Sequence, residues 1–407
     1  MNLPSGFSFG GVACGIKKNG DPDLALALSE TPCTAAALFT QNRFAAAPVQ
    51  YDRQLLSLNP GGVQAALINS GNANAATGAA GLAATRRSAE AVETIFGLPP
   101  WSTLVMSTGV IGQPLPVARI ETALPGLFHS LRAGVDGFQA AARAIMTTDT
   151  HPKLATQRVD LGDGVITLAG IAKGAGMIHP NMATMLALIL TDAALPPDLL
   201  HLALRQAADR SFNRISVDGD TSTNDTLALL ANGAAGYTIT AAAAPAFQAF
   251  TAGLTAVCTE LALAIVADGE GATKRATIRV SGLADEAQAH RVANAIAISP
   301  LVKTAIYGGD ANWGRILAAA GNSGVPFAAE QAQLWISGGA SAAEMLPALQ
   351  LVAGGAPLPF AETESTRRFA QPELLIDLRL GDGPGQATMW TCDLSHDYVT
   401  INGMYRT

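Results

Sequence analysis

Lys173-Gly-Ala-Gly-Met-Ile-His-Pro-Asn-Met-Ala-Thr-Met-Leu-Ala-Leu-Ile-Leu-Thr-Asp192 changes character at its middle. The first half is punctuated by Gly174, Gly176 and Pro180 and reads as an irregular loop. From Thr184 the chain becomes an apolar run through Met185 and Leu190, short enough for a strand and apolar enough to be buried on both faces. A hydroxyl residue at the mouth of a buried strand, directly after a flexible loop, is well placed for chemistry in a cleft.

Outward from this stretch, helical and strand periods interleave. Phe138, Ala141, Ala142 and Ile145 repeat at helical spacing behind Asp136 as a candidate cap. Leu199 to Ala208 reads as a helix opened by Pro196-Pro197. Phe247, Phe250, Leu254, Val257 and Leu261 mark one face of a longer helix closed by Asp268-Gly269. Ile278 and Val280 alternate with polar neighbours, as do Ile376, Leu378 and Leu380. After the turn run Gly381–Gly385, Ala387 to Leu394 reads as the return strand of a hairpin. No regular βαβ rhythm appears, so layered α+β is favoured over a doubly wound sheet. The length of 407 residues suggests two domains, expected as 1–195 and 196–407, with Ala241–Pro245 and Gly354–Pro359 as surface connections.

Composition narrows the function. Hydrophobic residues make up 49% and charged ones 14%, which describes a core-rich globular chain. A net charge of -7 without a lysine/arginine block argues against a nucleic-acid partner. The amino terminus lacks the basic start and apolar run of a signal peptide, and the longest apolar run, expected around Met185–Leu190, is too short to cross a membrane. Cys14, Cys33, Cys258 and Cys392 lie far apart without a CxxC pair, so reduced, mostly buried thiols are expected, with no metal and no disulfide. A cytosolic, cofactor-free protein is the expectation.

The Ala183-Thr184 junction supports a self-cleavage chemistry. Thr184 Oγ could attack the Ala183 carbonyl, giving an ester that water opens. The product is an amino-terminal threonine whose α-amine, with a pKa of about 7.7–8.0, can serve as general base for its own hydroxyl. Nucleophile and base then reside in one residue, a variant of the serine–histidine pairing. By spacing alone, Thr184 is more simply read as a β-branched residue that opens a core strand.

Lys173 to Asp192 resembles the processing-site signature of the bifunctional ornithine acetyltransferases, or glutamate N-acetyltransferases, of arginine biosynthesis. Other segments are similar to that family in the same order: Ser107-Thr-Gly-Val-Ile-Gly112, Thr147-Thr-Asp-Thr150, Ser216-Val-Asp-Gly-Asp-Thr-Ser-Thr-Asn-Asp225, Ala267-Asp-Gly-Glu-Gly-Ala-Thr-Lys274, Tyr307-Gly-Gly-Asp-Ala-Asn-Trp-Gly-Arg315 and the terminus Asp397–Thr407. The resemblance implies a layered α/β/β/α fold with a second, smaller α/β domain, cut between Ala183 and Thr184 into chains 1–183 and 184–407. It assigns Thr184 as nucleophile and acetyl carrier, Thr108 and Gly109 as the oxyanion hole, and Thr147, Lys173, Glu270, Asn402 and Thr407 as the substrate-binding set. One ammonium, one carboxylate and several neutral donors suit a zwitterionic amino acid. Gly403 and Met404 depart from the family pattern of alanine and glutamate after the terminal asparagine, which bears on substrate preference.

The reaction so implied moves acetyl from N-acetylornithine through Thr184 to glutamate, in an assembly of two copies of each half. Acetyl-CoA as donor stays open, since the family has members that use it and members that do not. A self-processing aminopeptidase or amidase is the alternative enzyme, and a non-enzymatic assembly protein the alternative outside enzymes. Gly269–Lys274 lacks the GxxxxGK[ST] spacing of a phosphate loop, and Gly308-Gly309 and Trp313-Gly314 suit turns and packing. His179 is expected to be a satisfied loop histidine and not a catalytic one.

Overall fold

The structure, a computed structural model, describes residues 1–162, 164–179 and 185–404. These gather into two compact units, one built from Met1–Asn213 and Asp220–Ile265, the other from Arg214–Gly219 and the residues from Val266 on. Each unit holds its own sheet.

The first unit contains β1 (Phe7–Val12), β2 (Leu24–Phe39), β3 (Val63–Asn72), β4 (Thr103–Val110), β5 (Lys153–Asp160), β6 (Val165–Lys173), β7 (Leu186–Thr191) and β9 (Thr226–Ala231). They run in the order β4-β3-β2-β9-β7-β6-β5, with β1 also on β2. The long β2 makes the layering. Leu24–Leu28 pairs with β1 and β3, the register shifts before Cys33, and Thr34–Phe39 pairs with β9. Leu24, Leu26, Ala65 and Leu67 face a core shared with Val92 of α2 (Gly78–Phe96) and Ile120 and Leu124 of α3 (Val117–Ser130). Their alternates Ala25, Ala27, Ala66 and Ile68 face a second core with Ile171, Leu186, Leu188 and Leu190. Residues of α1 (Ala47–Leu58) and α4 (Val135–Ala144) also enter this central core.

On the far side lie α5 (Pro197–Arg210), against β2, and α6 (Pro245–Ala267). At Gly170 of β6 a Cβ would fall 2.9 Å from Leu261 of α6, so that glycine admits the helix. The result is the expected α/β/β/α order. With helices behind one face and a second strand layer before the other, β7 is buried along its whole length, which explains its unbroken apolar run.

Local signals placed several elements well. Pro197 opens α5 and Phe250, Leu254, Val257 and Leu261 of α6 are buried. The cap of α4 is Gly134 and not Asp136, which instead lies in the first turn, where a carboxylate meets the positive end of the helix. The longest apolar segment is also not Met185–Leu190. By length and composition α6 would suffice to cross a membrane, because its alanines and threonines break the run without lowering its hydropathy much.

The second unit holds β8 (Ile215–Ser216), β10 (Arg275–Gly282), β11 (Gln333–Gly339), β12 (Leu349–Ala353), β13 (Ala356–Pro357), β14 (Glu373–Arg379) and β15 (Gly383–Cys392), ordered β13-β12-β11-β14-β10-β15-β8. Its core joins Ile278, Ile336, Ile376 and Met389 of the sheet to Val292 and Ile296 of α7 (Glu286–Ala297), Ile306 of α8 (Pro300–Gly308), Ile316 of α9 (Trp313–Gly321) and Phe369 of α10 (Glu362–Phe369). A last helix, α11, spans His396–Met404.

Two expectations are corrected here. β14 and β15 do not form a hairpin: β10 lies between them, parallel to β14 and antiparallel to β15. Alternation identifies a strand without naming its neighbour. A division at 195/196 would separate β7 from β9, yet these pair in parallel, Leu186 opposite Thr226. Gly354–Pro359 is the expected surface connection, formed by the turn and short strand that follow β12, with Gly354 and Gly355 at φ of 59° and 70°.

Candidate active site

In the first unit, two strand ends and one loop meet around the Lys173 side chain. Thr108 lies near the end of β4 and Lys173 closes β6, and both are buried, at 6% and 4% exposure. The Lys173 ammonium donates to Thr108 Oγ1 across 3.3 Å. A hydroxyl that accepts from an ammonium still has its own proton to donate. A cation and a polarised hydroxyl in a water-poor setting suit an oxygen that gains negative charge during reaction.

A buried cation needs compensation, and Asp149 supplies it. Asp149 Oδ1 accepts from Lys153 Nζ at 2.6 Å and from the Gly174 N–H at 2.7 Å, while Oδ2 accepts from the Thr147 N–H at 2.9 Å. The Lys153–Asp149 side chains are both 0% exposed. Burial by itself would raise the Asp149 carboxyl, but the charges of Lys173 and Lys153 and the donated hydrogen bonds outweigh it and hold the group down to about 2. One carboxylate thus ties the Thr147 loop to the residue that follows Lys173.

Gly109 is required where it stands. Its φ is +131°, and a Cβ would fall 2.3 Å from Gly71 C and 2.5 Å from Asn72 N. There the β3–β4 register slips at Gly71/Asn72. Ser107 Oγ donates to Asn69 Oδ1 at 2.6 Å, and Asn69 Nδ2 donates to the Asn72 carbonyl at 2.9 Å, so the slipped strand ends are stitched by side chains.

The strand that follows the expected cut enters the same sheet. Lys173 is the register partner of Leu186, and the buried Met185 accepts from the Thr226 N–H at 3.1 Å. Asp225 beside it is fully buried, and burial pushes its carboxyl well above the usual range, only partly offset by the nearby Ser222 and Met185 amides, Lys173 and Thr40. Within the preceding loop, Met177 adopts a φ of 57° and burial pushes His179 below its usual value against the pull of Asp220. Ala183 and Thr184, the expected cleavage site and nucleophile, lie outside the described residues, as does Thr407.

In the second unit Glu270 and Asn402 are neighbours. Asn402 Nδ2 donates to Glu270 Oε2 at 2.7 Å and to the Tyr398 carbonyl at 3.0 Å. The Tyr398 hydroxyl donates to Asp218 Oδ2 at 3.1 Å. Polar bonds of this kind hold α11, where Val399 is 68% exposed and Met404 84%.

The sequence model of the ArgJ family matches residues 8–407. The chain belongs to the ArgJ family. It is 47% identical over 421 residues to the mitochondrial arginine biosynthesis bifunctional protein ArgJ of Sordaria macrospora, which covers 99% of this chain and 89% of that one. It is 46% identical over 422 residues to the arginine biosynthesis bifunctional protein ArgJ of Thermosynechococcus vestitus, with 100% and 98% covered. The ornithine acetyltransferase of Mycobacterium tuberculosis, solved with ornithine, is 39% identical over 44% of this chain and 93% of its own, with a TM-score of 0.39.

Several family-like motifs have structural work in this chain. Lys274 donates to the carbonyls of Ile306 and Phe369, both at 2.7 Å, and so caps the carboxyl ends of α8 and α10. Gly309 is the left-handed cap of α8, and Asn312 Oδ1 caps α9 by accepting from the Arg315 N–H at 3.1 Å. Sequence reasoning missed the parts played by Asp149 and Lys153. Asp149 stands in a quoted motif, which is the one signal it had. Lys153 lies beyond its motif and had none.

Proposed function

We propose that this ArgJ-family chain is a self-processing acetyltransferase of arginine biosynthesis that carries the acetyl group on Thr184. The observation that carries the reading is the buried Lys173 ammonium on the Thr108 hydroxyl, next to a glycine that tolerates no side chain. In the cut, Thr184 Oγ bonds to the Ala183 carbonyl carbon, the amide C–N bond breaks and its nitrogen takes the proton. Water then opens the ester to leave the Ala183 carboxylate and the Thr184 hydroxyl, beside the amine freed when the C–N bond broke. In transfer, the hydroxyl attacks the acetyl carbonyl of N-acetylornithine while the α-amine takes its proton and passes it to the departing ornithine amine. Glutamate reverses these steps and leaves as N-acetylglutamate.

Thr108 and Gly109 stabilise the oxyanion of both reactions. Thr147, Lys173, Glu270, Asn402 and Thr407 hold the amino-acid substrates, a set of charges and donors that matches a zwitterion. The halves 1–183 and 184–407 stay associated, two copies of each, in the cytosol. Acetyl-CoA is a candidate second donor.

Intact mass spectrometry after incubation with N-acetylornithine alone tests the reading. The expected result is about 42 Da added to the chain that begins at Thr184 and nothing added to 1–183. A single uncut chain of 41.6 kDa that transfers acetyl groups would overturn it.

A further inference from the structure

The Ser216–Asp225 motif has no part in the chemistry above, yet Asn224 within it reaches the oxyanion strand. Asn224 is 6% exposed, and its Nδ2 donates to the carbonyls of Ala73 at 2.6 Å and Ser107 at 2.8 Å. Its Oδ1 accepts from the Thr223 hydroxyl at 2.7 Å, and its own N–H donates to Ser222 Oγ at 3.0 Å. Two carbonyls on one side and a hydroxyl on the other leave the amide a single orientation.

The Ser107–Thr108 peptide is planar and trans, so its C=O and the Thr108 N–H point in opposite directions within one rigid unit. To hold the Ser107 oxygen is therefore to aim that peptide and the Thr108 and Gly109 groups after it. Asn224 also stands two residues before Thr226, the register partner of Leu186 at the start of β7. One side chain thereby sets the oxyanion end of β4 against the sheet layer that contains β7.

We infer that Asn224 is a positioning residue for the acetyl-transfer site, acting through the Ser107 carbonyl on Thr108 and Gly109. This rests on the oxyanion role proposed for those two residues.

The test compares Asn224→Ala, Thr108→Ala and the double variant in the full chain, after circular dichroism shows each is folded. Two readouts are taken: the rate at which the uncut chain becomes two chains, and kcat and KM for N-acetylornithine. Asn224→Ala is expected to lower kcat roughly 10- to 100-fold with KM within about threefold, and to slow the cut alongside it. A chain that stays uncut counts as that loss. The double variant should be within about threefold of Thr108→Ala, since both changes remove one function. If Asn224→Ala does not fold, Asn224→Ser, which retains one donor, carries the same comparison. A folded Asn224 variant with wild-type kcat, or a fully additive double variant, overturns the inference. If Thr108→Ala itself keeps wild-type kcat, the oxyanion reading fails first, and the two failures are told apart.

Discussion

Replacing Asp149 by asparagine preserves the shape of the side chain and removes its charge. Its two oxygens now face three donors: Lys153 Nζ at 2.6 Å, the Gly174 N–H at 2.7 Å and the Thr147 N–H at 2.9 Å. An amide must turn its NH2 toward one of these sets, so a donor meets a donor. The Lys153 side chain, 0% exposed, also loses a counter-charge. Removing one partner of a buried ion pair costs about 3–5 kcal/mol. The depression of the Asp149 carboxyl from 3.8 to about 2 independently corresponds to roughly 2–3 kcal/mol. A depressed carboxyl contributes stability that is complete above its unfolded value and is lost as pH falls through the folded one. Urea unfolding at pH 7 should therefore place Asp149→Asn about 2–5 kcal/mol below wild type, with the gap narrowing between pH 4 and pH 2. Adding Lys153→Met should recover part of the loss, because both partners are then gone. A gap under about 1 kcal/mol at pH 7, or no recovery in the double variant, would refute the account of Asp149 as the charge anchor of the site.

Gly109→Ala should abolish detectable acetylation and lower stability by more than about 3 kcal/mol, since the new Cβ meets backbone at 2.3 Å, whereas Gly112→Ala should cost about 1 kcal/mol because nothing lies within 4 Å of its Cβ; equal urea midpoints for the two would refute the steric argument. Burial pushes Cys14, Cys33 and Cys258 up to about 12, with the neighbouring Asp23 adding to the effect at Cys14, and it raises Cys392 as well. A thiol reagent at pH 8 should thus label the folded chain slowly and all four thiols promptly in denaturant. One fast equivalent in the folded protein would contradict that.

Much of the fold was legible because its signals are local. The unbroken run at Leu186–Leu190 announces a strand covered on both faces, and the proline pair before α5 and the apolar face of α6 announce helices. The partnership of β10 with β14 and β15 was not legible, since alternation in Ile376 and Leu378 is the same whichever strand lies beside it. The Asp136 cap was misread because Gly134, with a φ of 126°, turns the chain into α4 two residues earlier.

Thr108, Gly109 and Lys173 were nameable in advance because the motifs that contain them resemble those of a family to which the chain belongs over residues 8–407. By itself the sequence determined the helices α4, α5 and α6, the strands β7, β10, β14 and β15, the reduced thiols and the family. Only the tertiary structure decided how charge is balanced around the site. Lys173 meets Thr108 across 65 positions of sequence, Gly174 meets Asp149 across 25, and Asn224 meets Ser107 across 117. Such bonds leave no periodic trace, because each partner satisfies its own local pattern. They form only where the layers bring buried polar groups together and exclude the water that would otherwise satisfy them.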